Sequence, residues 1–523
     1  MTQVSGTAML RLIALNALAF FLGTPLNLTS IQRAGRTDSV GATDTRFDQV
    51  RSRIQDLMLK QQLPSVAVAV AQHGRIIWEQ GFGWADREQL HPATPDTMYS
   101  LASISKPFTA TAIMALVKQG KLKLDGPAND YLGAEKLTGL AGDPSGATIR
   151  RLLNHTAGLP LHWQFFYVNE SYPCPPMEDT ILRYGNLINA PGDVFQYSNL
   201  GFGVLSHIIS RVSGLSYPDA MRTHVFAPLG LPHTDIPMTA NLEPYVAVRY
   251  DSHARPLPFY TFDHLGASAV YSSAHDLIRF AMFHLKDHLA DQQAIIDDAA
   301  IDLMHRLDIP MGSSLEFYGL GFFGTPDEHG LKSFGHDGGM PGVSTTMRLY
   351  PDEDLAVVAL TNSSPSDVYS GIPAIPQIAD EIVGVVVPRY AAALAAKPRN
   401  AESPAETHKT PPELLGMWEG SVRTWQSSIP LKLVFQNDGD IHVKLGDQFE
   451  TLLNQPHWAG KMFVGLFGGS ITTPDANRQR HYVRLELWQR GDSKLTGEAN
   501  AEATDDPAHY SLASYVELAR VQH

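Results

Sequence analysis

The chain has 523 residues, 44% of them hydrophobic and 18% charged, a composition typical of a soluble globular protein with more than one domain. Its formal net charge of -14 argues against a nucleic-acid partner, because few cations are available to neutralise phosphates. The one cysteine, Cys174, excludes an internal disulfide and a cysteine-based zinc site. It stands between prolines, and we interpret it as an ordinary loop residue.

The first predicted element is an apolar run, Leu12–Leu22, which follows the basic residue Arg11. The run is too short to span a membrane and has the length of a signal-peptide core, although no Ala-x-Ala site follows it. We expect residues 1–44 to be a signal peptide or anchor with a polar stretch, and the protein to be exported, periplasmic or secreted. An uncleaved anchor would be the protein's only membrane contact, and a cytoplasmic helix is the alternative.

Periodicity predicts the elements that follow. Residues 46–64 have apolar positions at helical spacing, and residues 65–86 form two β-rich runs around the turn His73-Gly74. A helix over Lys106–Gln119 is predicted next, because a glycine follows this apolar run as a C-terminal stop.

Strand patterns return near the end of this region. A Pro- and Gly-rich stretch of helices and loops runs to about residue 330, and two β-runs within residues 341–364 then flank a turn at 351–354. A helical pattern over residues 376–396 follows. Because strands occur at both ends of a mostly helical span, we predict an α/β fold in which one antiparallel sheet is assembled from both ends and flanked by helices.

The composition changes after about residue 395. Residues 396–412 are rich in Pro, Ala, Glu and Thr and predict a linker. From residue 413 onward, short alternating strands separated by turns predict an all-β barrel or sandwich. The predicted domains are therefore residues 45–395 and residues 413–523, joined by that linker.

The stretch SLASISK contains three serines immediately before the helix predicted from Lys106. Ser103 and Lys106 form the only Ser-x-x-Lys of the chain, and positions i and i+3 share a helix face, so the amine can take the hydroxyl proton. We assign the chemistry to Ser103 and the helix N-cap to Ser105. About one such pair is expected by chance in a chain of this length, so the assignment needs partner residues.

Two further motifs supply candidate partners. Tyr-x-Asn occurs three times, and Tyr197 with Asn199 is the occurrence that leads from a turn into an amphipathic helix; we assign Tyr167 and Tyr184 to packing. His336 ends a short strand beside glycines, which allow a substrate backbone to approach closely. The other matches to Lys/His-x-Gly are Lys118, His264 and Lys444.

Five segments occur together in one order: SISK, LLNHTAGLP, PGDVFQYSN, GASAVYSSAHDLIRF and GHDGGMPG. On these segments, residues 45–395 resemble the superfamily of serine β-lactamases and penicillin-binding proteins, in its class C β-lactamase, esterase and D-aminopeptidase branch. The resemblance implies a β-lactamase-like fold with a helical subdomain. It also implies a serine hydrolase that passes through an acyl-enzyme and needs no cofactor or metal.

The resemblance also implies roles for individual residues. Ser103 would be the nucleophile, with Lys106 and Tyr197 as the proton-transfer pair, and either of these two could be the base. Asn199 would hold a substrate amide or the lysine. His336, Gly338 and Gly339 would line the opposite wall of the site. The backbone N–H groups of Ser103 and Gly339 would form the oxyanion hole.

One departure from the family pattern concerns the substrate. His336, Asp337 and Gly338 stand where β-lactamases of this branch carry Lys-Thr-Gly, and histidine is largely neutral at pH 7. A neutral side chain gives a substrate carboxylate no fixed cation, which favours an esterase or a peptidase of D-amino acids. Asp337 would oppose such a carboxylate if its side chain faced the cleft.

The segment LLGMWEGSV and the strands after it resemble the lipocalin-like domain of some D-aminopeptidase relatives. That domain would cover the active site, mediate oligomers, bind an apolar molecule, or only add stability. Four aromatic residues in a loop of the main domain either line an apolar pocket rim or pack in the core. They are Trp163, Phe165, Phe166 and Tyr167.

We therefore predict a serine hydrolase for a small ester or amide, such as an acyl ester or a peptide containing a D-amino acid, with a homo-oligomer as one possible assembly. The alternatives are a β-lactamase or penicillin-binding DD-peptidase, and an inactive ligand-binding or sensor protein on the same scaffold. An α/β-hydrolase is disfavoured because the chain has no Gly-x-Ser-x-Gly, and a metallohydrolase because it has no His-Glu-x-x-His.

Overall fold

The computed structural model describes residues 41, 43–237, 246–312, 316–328, 331–364, 374–391, 410–459 and 462–521. The signal-peptide or anchor prediction, and most of the predicted linker, fall outside the described residues. Within these ranges, no helix combines the length and the apolar character needed to cross a membrane. Below, the large part means the described residues within 43–391, and the C-terminal barrel means those within 410–521.

The helices all belong to the large part as far as the chain is described. They are α1 Asp48–Gln61, α2 Ser105–Lys118, α3 Ile149–Leu153, α4 Met177–Tyr184, α5 Asn199–Ser213, α6 Tyr217–Met221, α7 Leu265–Ser268, α8 Ala274–Leu285, α9 Asp298–Met304 and α10 Ala374–Val386. A 3-10 turn, Ala102–Ile104, leads directly into α2. Helix α1 lies within the predicted helical residues 46–64, and the helix predicted over Lys106–Gln119 is confirmed within one residue at each end.

The strands of the large part are β1 Ser65–Gln72, β2 Arg75–Asp86, β3 His91–Pro92, β4 Met98–Ser100, β5 Thr138–Gly139, β6 Trp163–Tyr167, β7 Asn186–Leu187, β8 Thr234–Asp235, β9 Tyr260–Phe262, β10 Tyr271–Ser273, β11 Ile309–Pro310, β12 Phe317–Tyr318, β13 Phe323–Glu328, β14 Leu331–Met340, β15 Val343–Tyr350 and β16 Leu355–Thr361. The main sheet has the order β11-β12-β13-β14-β15-β16-β1-β2-β3. Its strands from the two sequence ends meet where β1 pairs antiparallel with β16, which confirms the predicted assembly.

Strand β1 is buried on both faces, which explains its unbroken apolar sequence SVAVAVA. Val66, Val68 and Val70 pack in one cluster with α1 and α10, whereas Ala67 and Ala69 pack in the other cluster, which includes α8. Because successive side chains point to opposite faces of a strand, the valines fill one layer and the alanines let the helix on the other side come close. Helices therefore cover both faces of the sheet.

The C-terminal barrel is one antiparallel sheet. Its strands are β17 Gly416–Arg423, β18 Ser428–Phe435, β19 Ile441–Leu445, β20 Thr451–Leu452, β21 Asn454–Ala459, β22 Met462–Phe467, β23 His481–Gln489, β24 Lys494–Ala503 and β25 Tyr510–Arg520. They follow the order β20-β19-β18-β17-β25-β24-β23-β22-β21, which nearly closes on itself. Trp418 is buried in its core and donates its indole N–H to Leu414 O at 2.8 Å. The predicted all-β barrel is confirmed.

The barrel is joined to the large part by strand pairing. Strand β25 pairs with β6 through Tyr510 opposite Gln164 and Ser511 opposite Trp163, and β6 pairs in turn with β9. The four aromatic residues of β6 are all buried between these strands. Of the two interpretations offered for them, core packing is right and the apolar pocket rim is wrong, because the barrel covers this strand.

Buried polar contacts reinforce the junction. The Arg478 guanidinium, from the barrel, forms an ion pair with Glu170 at 2.8 Å and donates to Gln164 Oε1 at 3.1 Å. Asp475, also from the barrel, is fully buried. Its carboxylate accepts hydrogen bonds from Tyr172, Tyr184 and Arg183.

Candidate active site

Ser103 lies at the middle of the 3-10 turn that leads into α2. The turn gives the chain helical geometry before α2 begins, so residue 104 occupies the N-cap position and no side chain caps the helix. The N-cap prediction for Ser105 is therefore wrong. Ser105 is the first residue of α2, fully buried, and its Oγ accepts a hydrogen bond from Val270 N at 2.9 Å. Its role is structural, as expected, but through a different contact.

The turn presents Ser103 to the cleft. Ala102, just before it, has φ +48°, a left-handed conformation that costs a non-glycine residue about 1–2 kcal/mol. Ala102 and Ile104 are buried, whereas Ser103 retains partial exposure. The sharp turn thus exposes one hydroxyl between two residues that anchor the backbone.

The amine of Lys106 contacts three oxygen atoms. Its Nζ lies 3.1 Å from Ser103 Oγ, 2.8 Å from Asn199 Oδ1 and 3.2 Å from Ala267 O. Lys106 is 0% exposed, and this burial holds the pKa of its amine well below the ordinary value. A neutral amine keeps two N–H groups and one lone pair. The two carbonyl oxygens can only accept, so they take the N–H groups, and the lone pair is left for the Ser103 hydroxyl.

Tyr197 also reaches Ser103. The Ser103 side chain acts on the pKa of the Tyr197 phenol, so the two groups lie close together, and the Tyr197 ring centroid lies 4.7 Å from Lys106 Nζ. Burial raises the pKa of the Tyr197 phenol above its ordinary value. Asn199, the first residue of α5, holds the lysine, which was one of its two predicted roles. Four of the sequence-predicted residues therefore meet around one hydroxyl.

His155 supports Tyr197, a role that the sequence did not reveal. Its backbone carbonyl accepts from Gln196 N at 2.8 Å, and its Nδ1 accepts from Ser198 N at 3.0 Å. The imidazole ring lies 4.3 Å from the Tyr197 ring and is 1% exposed. Burial lowers the pKa of His155 and so favours the neutral ring, and the N–H of Ser198 selects the tautomer in which Nδ1 carries no proton. His155 thus fixes the backbone on both sides of Tyr197.

His336 lines the facing wall, on β14. Its ring centroid is 6.5 Å from that of Tyr197, and its Nε2 lies 3.1 Å from the Tyr318 hydroxyl. Burial lowers the pKa of His336 to about 3. The imidazole is therefore neutral at pH 7 and offers no fixed positive charge to the cleft.

Gly338 lets β14 lie against the turn that carries Ser103. A Cβ built on Gly338 would come within 2.1 Å of Leu101 O and 2.3 Å of Thr345 Oγ1, so no side chain fits there. Gly339 is the next residue of β14 and pairs with Ser344. The turn that carries Ser103 and strand β14, which carries Gly339, are therefore adjacent. The oxyanion hole formed by their N–H groups stays a prediction.

Asp337 does not share the face of His336 and Gly338, because side chains alternate along a strand. Both of its carboxylate oxygens pair with the Arg348 guanidinium, at 2.6 and 2.7 Å, and one also accepts from Thr346 Oγ1 at 2.6 Å. Its negative charge is thus neutralised on the other face of the sheet. The Asp337 side chain does not face the cleft, so it is not placed to repel a substrate carboxylate there.

The other sequence matches have structural contacts of their own. Tyr167 is buried in β6, and Tyr184 ends α4 with its hydroxyl on Asp475. His264 pairs with Asp263 at 2.7 Å. Cys174 is half-buried, and burial raises the pKa of its thiol, as fits a structural residue.

The contact between His155 and Ser198 gives a testable prediction. His155→Asn places an amide oxygen where Nδ1 lies and tolerates the left-handed φ of +59°, whereas His155→Leu removes the acceptor. We expect any turnover that depends on Tyr197 to fall at least about tenfold further in the Leu variant than in the Asn variant. The reason is that a small displacement of Tyr197 would lower the rate of the chemical step steeply. Steady-state kinetics, with thermal unfolding as control, measures this. Equal losses in two folded variants would contradict the assigned contact.

Comparisons with known proteins identify the family of this chain. Residues 50–379 match the family model described as Beta-lactamase. Penicillin-binding protein 4* of Bacillus subtilis (strain 168) is 30% identical over 331 residues, which cover 58% of this chain and 69% of that protein.

Two solved structures share the fold over most of the chain. The crystal structure of SurE with D-Leu is 21% identical with a TM-score of 0.56, covering 91% of this chain and 100% of that one. The octameric penicillin-binding protein homologue from Pyrococcus abyssi is 23% identical with a TM-score of 0.54, covering 89% and 99%. Since the family model matches more than half of its residues, this chain belongs to the β-lactamase family of serine hydrolases and penicillin-binding proteins.

Proposed function

We propose that the protein hydrolyses a small ester or amide through an acyl-enzyme formed on Ser103. The observation that carries this proposal is the contact of the Ser103 hydroxyl with a buried, low-pKa amine, Lys106, at 3.1 Å. A hydroxyl is a weak nucleophile at its own pKa, and an adjacent base that takes its proton activates it. A binding protein without catalytic activity does not require a serine hydroxyl in contact with a buried lysine amine.

The directions of the two pKa shifts favour Lys106 as the base. Burial favours the neutral amine of Lys106, which can accept a proton, whereas burial makes the Tyr197 phenol hold its proton more tightly than usual. As Ser103 Oγ attacks the substrate carbonyl carbon, its proton passes to Lys106 Nζ. Tyr197 then relays a proton to the leaving group, and water releases the acyl group by the reverse path. The N–H groups of Ser103 and Gly339 would hold the oxyanion.

The neutral wall at His336 supports an ester or a D-amino-acid amide as substrate, more than a β-lactam or the DD-peptide of a penicillin-binding protein. A carboxylate-bearing substrate would lack the fixed cation that a lysine supplies there. SurE, which shares the fold, was crystallised with D-Leu, and this supports testing D-amino-acid amides first.

Assembly and location are proposed on separate grounds. The octameric homologue from Pyrococcus abyssi supports a homo-oligomer. Export rests on the apolar run Leu12–Leu22, so a comparison of the N-terminus of the mature protein with the encoded one is the direct test.

Removal of the proposed nucleophile tests the function. We expect Ser103→Ala to lower hydrolysis of a p-nitrophenyl acyl ester by at least roughly a thousandfold, as loss of a catalytic serine does elsewhere. Ser100→Ala is the matched control, because the Ser100 hydroxyl has no hydrogen-bond partner among the described residues. Hydrolysis by Ser103→Ala at the wild-type rate would overturn the proposal.

The pH dependence tests Lys106 as base. With a lowered pKa, Lys106 loses its proton well below the ordinary lysine value near 10.4, so kcat/KM should rise with pH and level off before the alkaline range. Lys106→Arg, which stays protonated, should lose roughly a hundredfold or more. Lys118→Arg, on the exposed end of the same helix, should change nothing. A profile still rising at pH 10, or an active Lys106→Arg, would contradict this role.

His336 tests the substrate class. His336→Lys should raise β-lactam turnover relative to ester turnover, because the ammonium adds the cation that the neutral imidazole lacks. His336→Gln carries no charge and should leave the ratio unchanged. The two ratios are measured with the same protein preparations, after thermal unfolding shows that both variants fold. A ratio that is the same in wild type and His336→Lys would remove His336 from this role.

A further inference from the structure

A glutamate of the C-terminal barrel reaches the segment that carries Tyr197. Glu498, on β24, is 0% exposed, and its Oε1 accepts a hydrogen bond from Gln196 Nε2 at 3.0 Å. Gln196 is itself buried and directly precedes Tyr197 in the chain. A side chain of the barrel is therefore one residue away from the phenol that contacts Ser103.

Strand β24 turns a polar face toward the large part. Its alternate residues Leu495, Ala499 and Ala501 belong to the apolar core, whereas Glu498 and Asn500 point to the opposite face and are still buried. Acidic side chains are seldom fully buried unless they have a specific partner. Gln196 provides one hydrogen bond that compensates for the burial of Glu498.

A second barrel residue holds the same segment. Arg490 donates from Nη2 to Asn189 Oδ1 at 2.6 Å and pairs through Nη1 with Asp193. Residues 189–196 are thus fixed by the barrel on one side. On the other side, His155 binds the backbone N–H groups of Gln196 and Ser198. Tyr197 lies between these two supports.

The surroundings of Glu498 favour its neutral form. Its cross-strand neighbour is Glu486, which is paired with Arg484 at 2.8 Å. Burial and the negative charge of Glu486 raise the pKa of Glu498. A glutamine at this position therefore reproduces both its shape and its hydrogen-bond acceptor.

From these contacts we propose that Glu498 is a positioning residue, which fixes Tyr197 through Gln196, so that the C-terminal barrel completes the active site of the large part. The proposal rests on the function proposed above for Tyr197. The barrel then has a role in turnover that acts through Gln196 and Tyr197, without direct contact with Ser103.

Kinetics of four variants test the proposal on the full chain. Glu498→Leu should lower kcat for the p-nitrophenyl ester at least about tenfold with KM within about twofold, because Tyr197 acts in proton transfer. Glu498→Gln should stay within about threefold of wild type. Gln196→Leu removes the same hydrogen bond from the other side and should match Glu498→Leu, and the double variant should lose no more than either alone.

A control variant separates positioning from general weakening of the junction. Asp475→Asn disturbs the buried contacts of the barrel with Tyr172 and Tyr184, which lie outside residues 189–199. It should lower the thermal midpoint without changing kcat by more than about twofold. An equal kcat loss in Asp475→Asn, an unchanged kcat in Glu498→Leu, or no rescue by Glu498→Gln would overturn the proposal.

Amide hydrogen exchange gives a readout that does not depend on turnover. In Glu498→Leu, the amides of residues 189–199 should exchange faster than in wild type, and in Glu498→Gln they should not. Unchanged exchange would contradict the positioning contact. If wild type and Ser103→Ala are equally inactive, the proposed function fails, and the exchange experiment still decides whether Glu498 fixes this segment.

Discussion

The burial of one lysine amine organises the active site. Lys106 Nζ is shielded from water between α2, α5 and α7, and its hydrogen-bonding capacity is taken up by Ser103, Asn199 and Ala267 O. Desolvation favours the neutral amine, so the same packing that joins the helices also suits the lysine to the proposed role of base. A change that admitted water or moved one of these helices would favour the protonated amine, which could not activate Ser103 as proposed.

The second requirement is a fixed tyrosine. Tyr197 stands on a segment that the core holds through His155 and the C-terminal barrel holds through Glu498 and Arg490. The family match covers residues 50–379 and ends before the barrel, yet strand pairing between β25 and β6 makes the barrel continuous with the large part. The site therefore depends on packing that reaches beyond the matched region.

The sequence predicted what local pattern and motif order determine. A β-rich run gave β1, alternation gave the barrel strands, and Ser-x-x-Lys gave the Ser103 and Lys106 pair. The sequence did not predict the long-range contacts of Ser105, of the β6 aromatics or of His155. The role of Ser105 depends on the 3-10 turn before α2 and on Val270, and the burial of the β6 aromatics depends on β25. His155 lies in the segment LLNHTAGLP, but its function requires contact with Ser198, which only the fold brings near.

The most direct test of the account is mass spectrometry of the acyl-enzyme. Wild-type protein is mixed with a p-nitrophenyl acyl ester, quenched with acid during turnover, and its peptides are mapped. We expect one acyl group in the wild-type protein, on Ser103. In Lys106→Arg we expect no acyl adduct at the same time point, because the proposed base is lost. An acyl group on another residue, or rapid turnover with no acylated Ser103, would contradict it.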